Sequence, residues 1–123
     1  MITKKILLVE DEKDLAETVT FRLESAGYMV IVARDGKEAL EKVRNDKPDL
    51  IVLDIMLPKI DGYKVCAILK RDMRYMKIPI MMFTARAQEE DEKLGRELGA
   101  DAYMTKPFEP VALLAMVKTL LEG

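Results

Sequence analysis

Asp49-Leu50-Ile51-Val52-Leu53-Asp54-Ile55-Met56-Leu57-Pro58 is the stretch on which the fold turns. Four consecutive apolar residues, Leu50 to Leu53, end in a carboxylate. An uninterrupted apolar run, rather than an alternating one, marks a strand buried on both faces of a parallel sheet. The same kind of run recurs upstream at Lys5–Val9 and Met29–Ala33 and downstream at Ile80–Phe83 and Ala102–Met104. Between the runs the apolar spacing changes to threes and fours, which predicts helices. In Lys13–Ala26 the inner face is Leu15, Val19, Leu23 and Ala26, with Gly27 as the stop. Lys37–Arg44 offers Ala39, Leu40 and Val43, and Lys64–Met73 offers Val65, Ile68 and Leu69. Gln88–Leu98 is highly charged, with Leu94 and Leu98 as inner contacts, and Pro110–Leu121 opens on a proline suited to a first turn. Five strand–helix units in alternation predict an α/β fold: a five-stranded parallel sheet, doubly wound, with five helices, over a single domain of residues 1–123.

Composition narrows the chemistry. The chain has 123 residues, a formal net charge of -2 and no histidine. No Ser-His-Asp or Cys-His pair can form, and Cys66 alone cannot build a zinc site. No strongly basic face is expected, so nothing points to a nucleic-acid groove. A single cysteine allows no internal disulfide and fits a reducing cytoplasm. The apolar run Ile6 to Val9 near the start is too short for a signal sequence or a membrane span.

In an open parallel sheet, ligands bind beyond the carboxyl ends of the strands. Glu10-Asp11-Glu12 follows the first strand, Asp54 the third, Thr84-Ala85 the fourth and Thr105-Lys106-Pro107 the fifth. Each has an ordinary alternative. A strand-terminal Asp is more often a helix cap, but Ile-Met-Leu-Pro after Asp54 does not start a helix. Glu10 and Asp11 can be a solvated first helical turn, the role assigned to Glu12. Lys106 can be a surface lysine, and Thr84 can satisfy a helix end. Taken together, three carboxylates at one edge repel unless a cation is present, and carboxylate and carbonyl oxygens suit magnesium. Lys106 can then lean over the acids as a point charge for a phosphoryl oxygen, aimed by a cis bond at Pro107, while Thr84 donates its hydroxyl. The set describes metal-assisted phosphoryl transfer to Asp54.

With these motifs in place — Leu8-Val9-Glu10-Asp11, Asp54 to Pro58, Asp61-Gly62, Thr84-Ala85, Gly99-Ala100-Asp101 and Lys106-Pro107-Phe108 — the chain resembles the receiver domains of bacterial two-component response regulators. The resemblance implies a flavodoxin-like strand order of 2-1-3-4-5 and Asp54 as phosphoacceptor. It implies a site for Mg2+ (or Mn2+) formed by Asp11, Asp54 and the Met56 backbone carbonyl, with Glu10 acting largely through water. It implies a switch in which Tyr103 turns inward as Thr84 moves toward the phosphate. Ala85 would leave the acceptor accessible, and Met56 and Arg86 would flank the path of a hydrolytic water. The implied donor is a phosphohistidine on a sensor histidine kinase or a His-containing phosphotransfer protein. The implied output is a protein target met by the Gln88–Leu121 face. The domain would not be an enzyme beyond its own phosphorylation and dephosphorylation. It would be cytoplasmic, without membrane contact, and would reach nucleic acid only through a further C-terminal domain. Relatives that carry such a domain dimerise through charge pairs. Glu92, Ala102 and Met116 depart from that set, which favours a stand-alone receiver or one from a different architecture.

Three rivals share parts of this pattern, one of them a degenerate receiver used only as a binding module, against which the intact acid set and Lys106 argue. A flavin-binding protein of the same fold needs a hydroxyl- and glycine-rich loop where Glu10-Asp11-Glu12 stands. An Asp-nucleophile phosphatase needs a general acid where Met56 stands, and a thioether cannot donate a proton.

Overall fold

The computed structural model describes residues 3–85 and 89–123. Its elements alternate without exception: β1 (Lys5–Val9), α1 (Lys13–Ser25), β2 (Met29–Ala33), α2 (Gly36–Asp46), β3 (Leu50–Leu53), α3 (Gly62–Lys70), β4 (Ile80–Thr84), α4 (Glu89–Glu97), β5 (Ala102–Thr105) and α5 (Pro110–Glu122). The strands form one parallel sheet in the order β2-β1-β3-β4-β5. That is the order the resemblance implied.

Because side chains alternate across a strand, each run splits into two cores. Leu7, Val9, Ile51, Leu53, Ile80 and Met82 face Ala39, Val43, Val65, Cys66 and Leu69 on the side of α2 and α3. Ile6, Leu8, Leu50, Val52, Met81 and Phe83 face Ala16, Val19, Leu23, Leu113 and Val117 on the side of α1 and α5. Strand β2 forms one edge and is only partly covered, with Met29 50% exposed. Side chains of α2 reach its outer rim at the C-terminal end. Lys42 Nζ donates to the Val32 carbonyl at 2.7 Å, the Arg34 amide donates to Glu38 at 3.4 Å, and Lys42 pairs with Glu38 at 3.1 Å.

Three expected inner contacts are corrected. Ala26 is exposed and Ala16 takes the buried place in α1. Ile68 is 48% exposed, because α3 turns Val65, Cys66 and Leu69 inward. Leu94 is 41% exposed. In α4 it is the buried Gly95 that faces the sheet, where a Cβ would make ordinary contact with Met82 at 3.6 Å and Tyr103 at 3.7 Å. The expected third helix also ends early. Asp72 accepts from the Arg74 amide and guanidinium, and Lys70 Nζ reaches back to the carbonyls of Met76 and Ile78, folding residues 71–79 into turns. The start of the fourth expected helix, Gln88, lies outside the described residues, as does Arg86.

Candidate functional site

Three residues of the site are set by a backbone hydrogen bond just beyond a strand end. The Glu10 amide donates to Ala33 at 2.9 Å, the Asp54 amide to Val9 at 3.1 Å, and the Lys106 amide to Thr84 at 2.8 Å. These bonds carry the ladder past the strands and fix where the side chains emerge. Glu10 (1% exposed), Asp54 (4%) and Thr84 (0%) are the buried polar residues among those described.

Carboxylate oxygens of Glu10, Asp11 and Asp54 all lie within 4.8 Å of one another. Asp11 is exposed and opens the cluster to solvent. Lys106, from the opposite side, sends Nζ to within 2.5 Å of Glu10 Oε1 and 2.9 Å of Asp54 Oδ2. It crosses the Phe83 ring at 5.3 Å from the centroid, and Phe83 is braced edge-on by Phe108 at 5.6 Å. The remaining carboxylate oxygens are also held: Asp54 Oδ1 accepts from the Met56 amide at 3.0 Å, and Glu10 Oε2 from the Glu12 amide at 3.1 Å. Glu12 is thus the residue before α1 and is itself oriented by Glu10.

Burial pushes the Glu10 carboxyl above its ordinary value; the bonds from Lys106 and the Glu12 amide only partly offset this, and the Asp54 charge adds to it. For Lys106, burial pulls the ammonium down, but the bonds to Asp54 and Glu10 outweigh it and leave it raised. Three carboxyl groups facing one ammonium leave the cluster short of positive charge. An all-oxygen donor set with that deficit fits a small divalent cation such as Mg2+, which keeps several of its own waters.

The other candidates lie on β4, β5 and the segments that follow them or β3. Thr84 ends β4 opposite Thr105, and the exposed Ala85 follows it. The Lys106–Pro107 peptide bond is cis. Tyr103 is half-buried on β5, with its ring against Gly95 of α4. The Met56 side chain is 60% exposed. Two positions went unassigned a role in the sequence: Gly36 and Gly62. A Cβ on Gly62 would lie 2.3 Å from the Asp54 carbonyl oxygen, and one on Gly36 would lie 2.1 Å from that of Ile60. Their shared signal is an Asp-Gly pair, at 35–36 and 61–62, in which the Asp caps the following helix.

Comparison with known proteins agrees with this geometry. The family described as the response regulator receiver domain matches residues 6–118. The chain is 52% identical over 120 residues to the alkaline phosphatase synthesis transcriptional regulatory protein PhoP of Bacillus subtilis, covering 98% of this chain and 49% of that protein. It therefore spans about half the length of the curated relatives it matches. A solved response regulator from Chloroflexus aurantiacus superposes with a TM-score of 0.95 at 36% identity, covering 99% of this chain and 100% of that one. The receiver domain of a sensor histidine kinase from Pseudomonas aeruginosa, crystallised with magnesium coordinated in its active-site cleft, gives a TM-score of 0.91 at 28% identity, covering 99% of this chain and 100% of that one.

Proposed function

The chain belongs to the response regulator receiver domain family, and on that premise we propose that Asp54 is its phosphoacceptor, working with a divalent cation held by Glu10, Asp11, Asp54 and the Met56 carbonyl. The observation that carries this reading is the bridge of Lys106 between Glu10 and Asp54 inside a cluster of three carboxylates. Family membership makes the domain a component of a two-component phosphorelay. A carboxylate oxygen of Asp54 attacks the phosphorus of a phosphohistidine, the P–N bond breaks, and imidazole leaves as an acyl phosphate forms. Bound Mg2+ or Mn2+ would supply charge neutralisation at the transferring oxygens. Lys106 then exchanges its Asp54 contact for a phosphoryl oxygen, and the Thr84 hydroxyl follows, which draws Tyr103 inward. Ala85 leaves room for the donor, and water attack on the acyl phosphate resets the site.

The donor is a sensor histidine kinase or a His-containing phosphotransfer protein, since this chain has no histidine of its own. The output is a protein target on the Gln88–Leu121 face, of which Gln88 lies outside the described residues. On that face Glu92 pairs with Arg96 within α4, and Ala102 and Met116 are half-buried. No charge-paired dimer through α4, β5 and α5 is therefore expected. Nucleic acid is reached only where a second domain follows the receiver, as in regulators of about twice this length. Residues 1–123 act as one receiver unit in the cytoplasm. Consistent with that, no helix among the described residues is long and apolar enough to cross a membrane.

Intact mass after acetyl phosphate and Mg2+ tests the chemistry. Wild type should gain one phosphoryl group, whereas Asp54→Asn should gain none while keeping its circular dichroism. Labelling of Asp54→Asn at the wild-type rate assigns the acceptor elsewhere.

A further inference from the structure

The loop that joins β3 to α3 carries Met56, yet no ladder holds it. Its own bonds are short-range, from the Met56 amide to Asp54 Oδ1 at 3.0 Å, the Leu57 amide to Ile55 at 3.1 Å, the Ile60 amide to Pro58 at 2.9 Å and the Gly62 amide to Ile55 at 2.9 Å, and Lys59 sits in the left-handed region at φ 68. A run of tight turns next to a cation site needs support from outside. One support is Gly62, in contact with the Asp54 backbone. The other comes from α2, on the same face of the sheet. Gly36, buried at the start of α2, is so close to Ile60 that a Cβ would lie 2.1 Å from its carbonyl oxygen, 2.7 Å from its Cβ and 2.9 Å from its carbonyl carbon. The neighbouring Asp35 caps α2 through the Glu38 amide at 2.8 Å and also pairs with Lys59 at 3.4 Å.

We propose that Asp35 and Gly36 form a positioning element for the cation site: they fix Ile60 and Lys59, and through them the Met56 backbone, although α2 supplies no ligand. The inference rests on the reading that Met56 and the acid cluster hold a divalent cation. Groups that orient ligands without binding the metal typically account for about 10–100-fold in affinity. A Cβ on Gly36 can be accommodated only by moving α2 or the loop. Ala39 and Val43 are fully buried, and Lys42 and Glu38 tie the helix to β2. The loop, held by turn bonds, is the part that moves.

The test is a Mg2+ titration of the full chain, followed at the Met56 and Asp54 amides by heteronuclear NMR, well below the melting temperature of each variant. Gly36→Ala is expected to lose about tenfold in Mg2+ affinity. Val43→Ala, which empties part of the core behind the same helix, controls for lost stability and is expected to bind as wild type does. Wild-type affinity in Gly36→Ala, or an equal loss in both variants, overturns the proposal. Should Gly36→Ala not fold, Asp35→Ala releases Lys59 from the α2 side and so removes the other half of the same support; a several-fold loss supports the proposal and an unchanged affinity overturns it. A wild type that binds no Mg2+ sinks the functional reading, and this inference with it. A wild type that binds while Gly36→Ala binds equally well removes only the inference.

Discussion

Lys106→Met removes the ammonium from the cleft while keeping most of the apolar stem. In the wild type that ammonium is shared by two carboxylates that are 1% and 4% exposed. Methionine would leave both acids buried and facing each other without a counter-charge. Removing one partner of a buried ion pair costs about 3–5 kcal/mol. The exposed Asp11 admits water to the cluster, so the lower end, about 3 kcal/mol, is expected. In a domain of this size about 1 kcal/mol moves Tm by about 4 °C, so the variant should melt roughly 10 °C below wild type in EDTA. Saturating Mg2+ returns positive charge to the same carboxylates and should close more than half of that gap. Adding Asp54→Asn, which removes one of the opposed acids, should recover stability in EDTA relative to Lys106→Met alone. Calorimetric melts of the four combinations, with and without Mg2+, give both couplings. A Lys106→Met protein that melts within about 2 °C of wild type in EDTA would refute the charge argument.

Two further outcomes follow from titrating groups. Burial pushes the Cys66 thiol up to about 11, and the side chain is fully buried. The native protein should therefore resist a thiol reagent at about pH 8, where the unfolded chain reacts readily; equal rates in the two states would contradict its placement. Since the shift is upward, Cys66 favours the fold below the ordinary thiol value, and that contribution is lost as pH rises through about 11. Asp35 is shifted the other way, downward, by the Glu38 amide first; desolvation opposes this, and the bond and charge of Lys59 add to the lowering. Its contribution is present above the ordinary Asp value and lost as pH falls through the lowered one. Urea midpoints of wild type and Asp35→Ser, which keeps a capping oxygen but not the charge, should differ at neutral pH and converge in acid; a gap that persists in acid counts against the carboxylate charge as its origin.

What was legible in the sequence was whatever a strand writes as an apolar run. The five runs located the sheet, and the carboxylates, hydroxyl and lysine that end them located the cleft. Helix faces were less legible where the inner residue is small. Periodicity selects Leu94 in α4, but the helix approaches the sheet through Gly95, which carries no apolar signal at all. Ile68 lost its place to Cys66 for a similar reason, since a small thiol fits where α3 meets the sheet. Glu10 and Asp11 read as equals, yet Glu10 continues the β1 ladder into the protein while Asp11 faces solvent. Gly36 was illegible because its reason for being glycine is a contact with Ile60, on a different strand–helix unit.

The rim of β2 has a consequence for how the molecule meets others. An edge strand is normally a template on which a stranger's backbone can grow, and long-lived clumps start there. Here the Val32 carbonyl and the Arg34 amide are already spoken for by Lys42 and Glu38. At that end of the strand visitors find side chains where they would need main chain, which disfavours growth of a foreign strand from it. For a relay component that must collect its signal from one protein and pass it to another, being hard to hold on to is an asset.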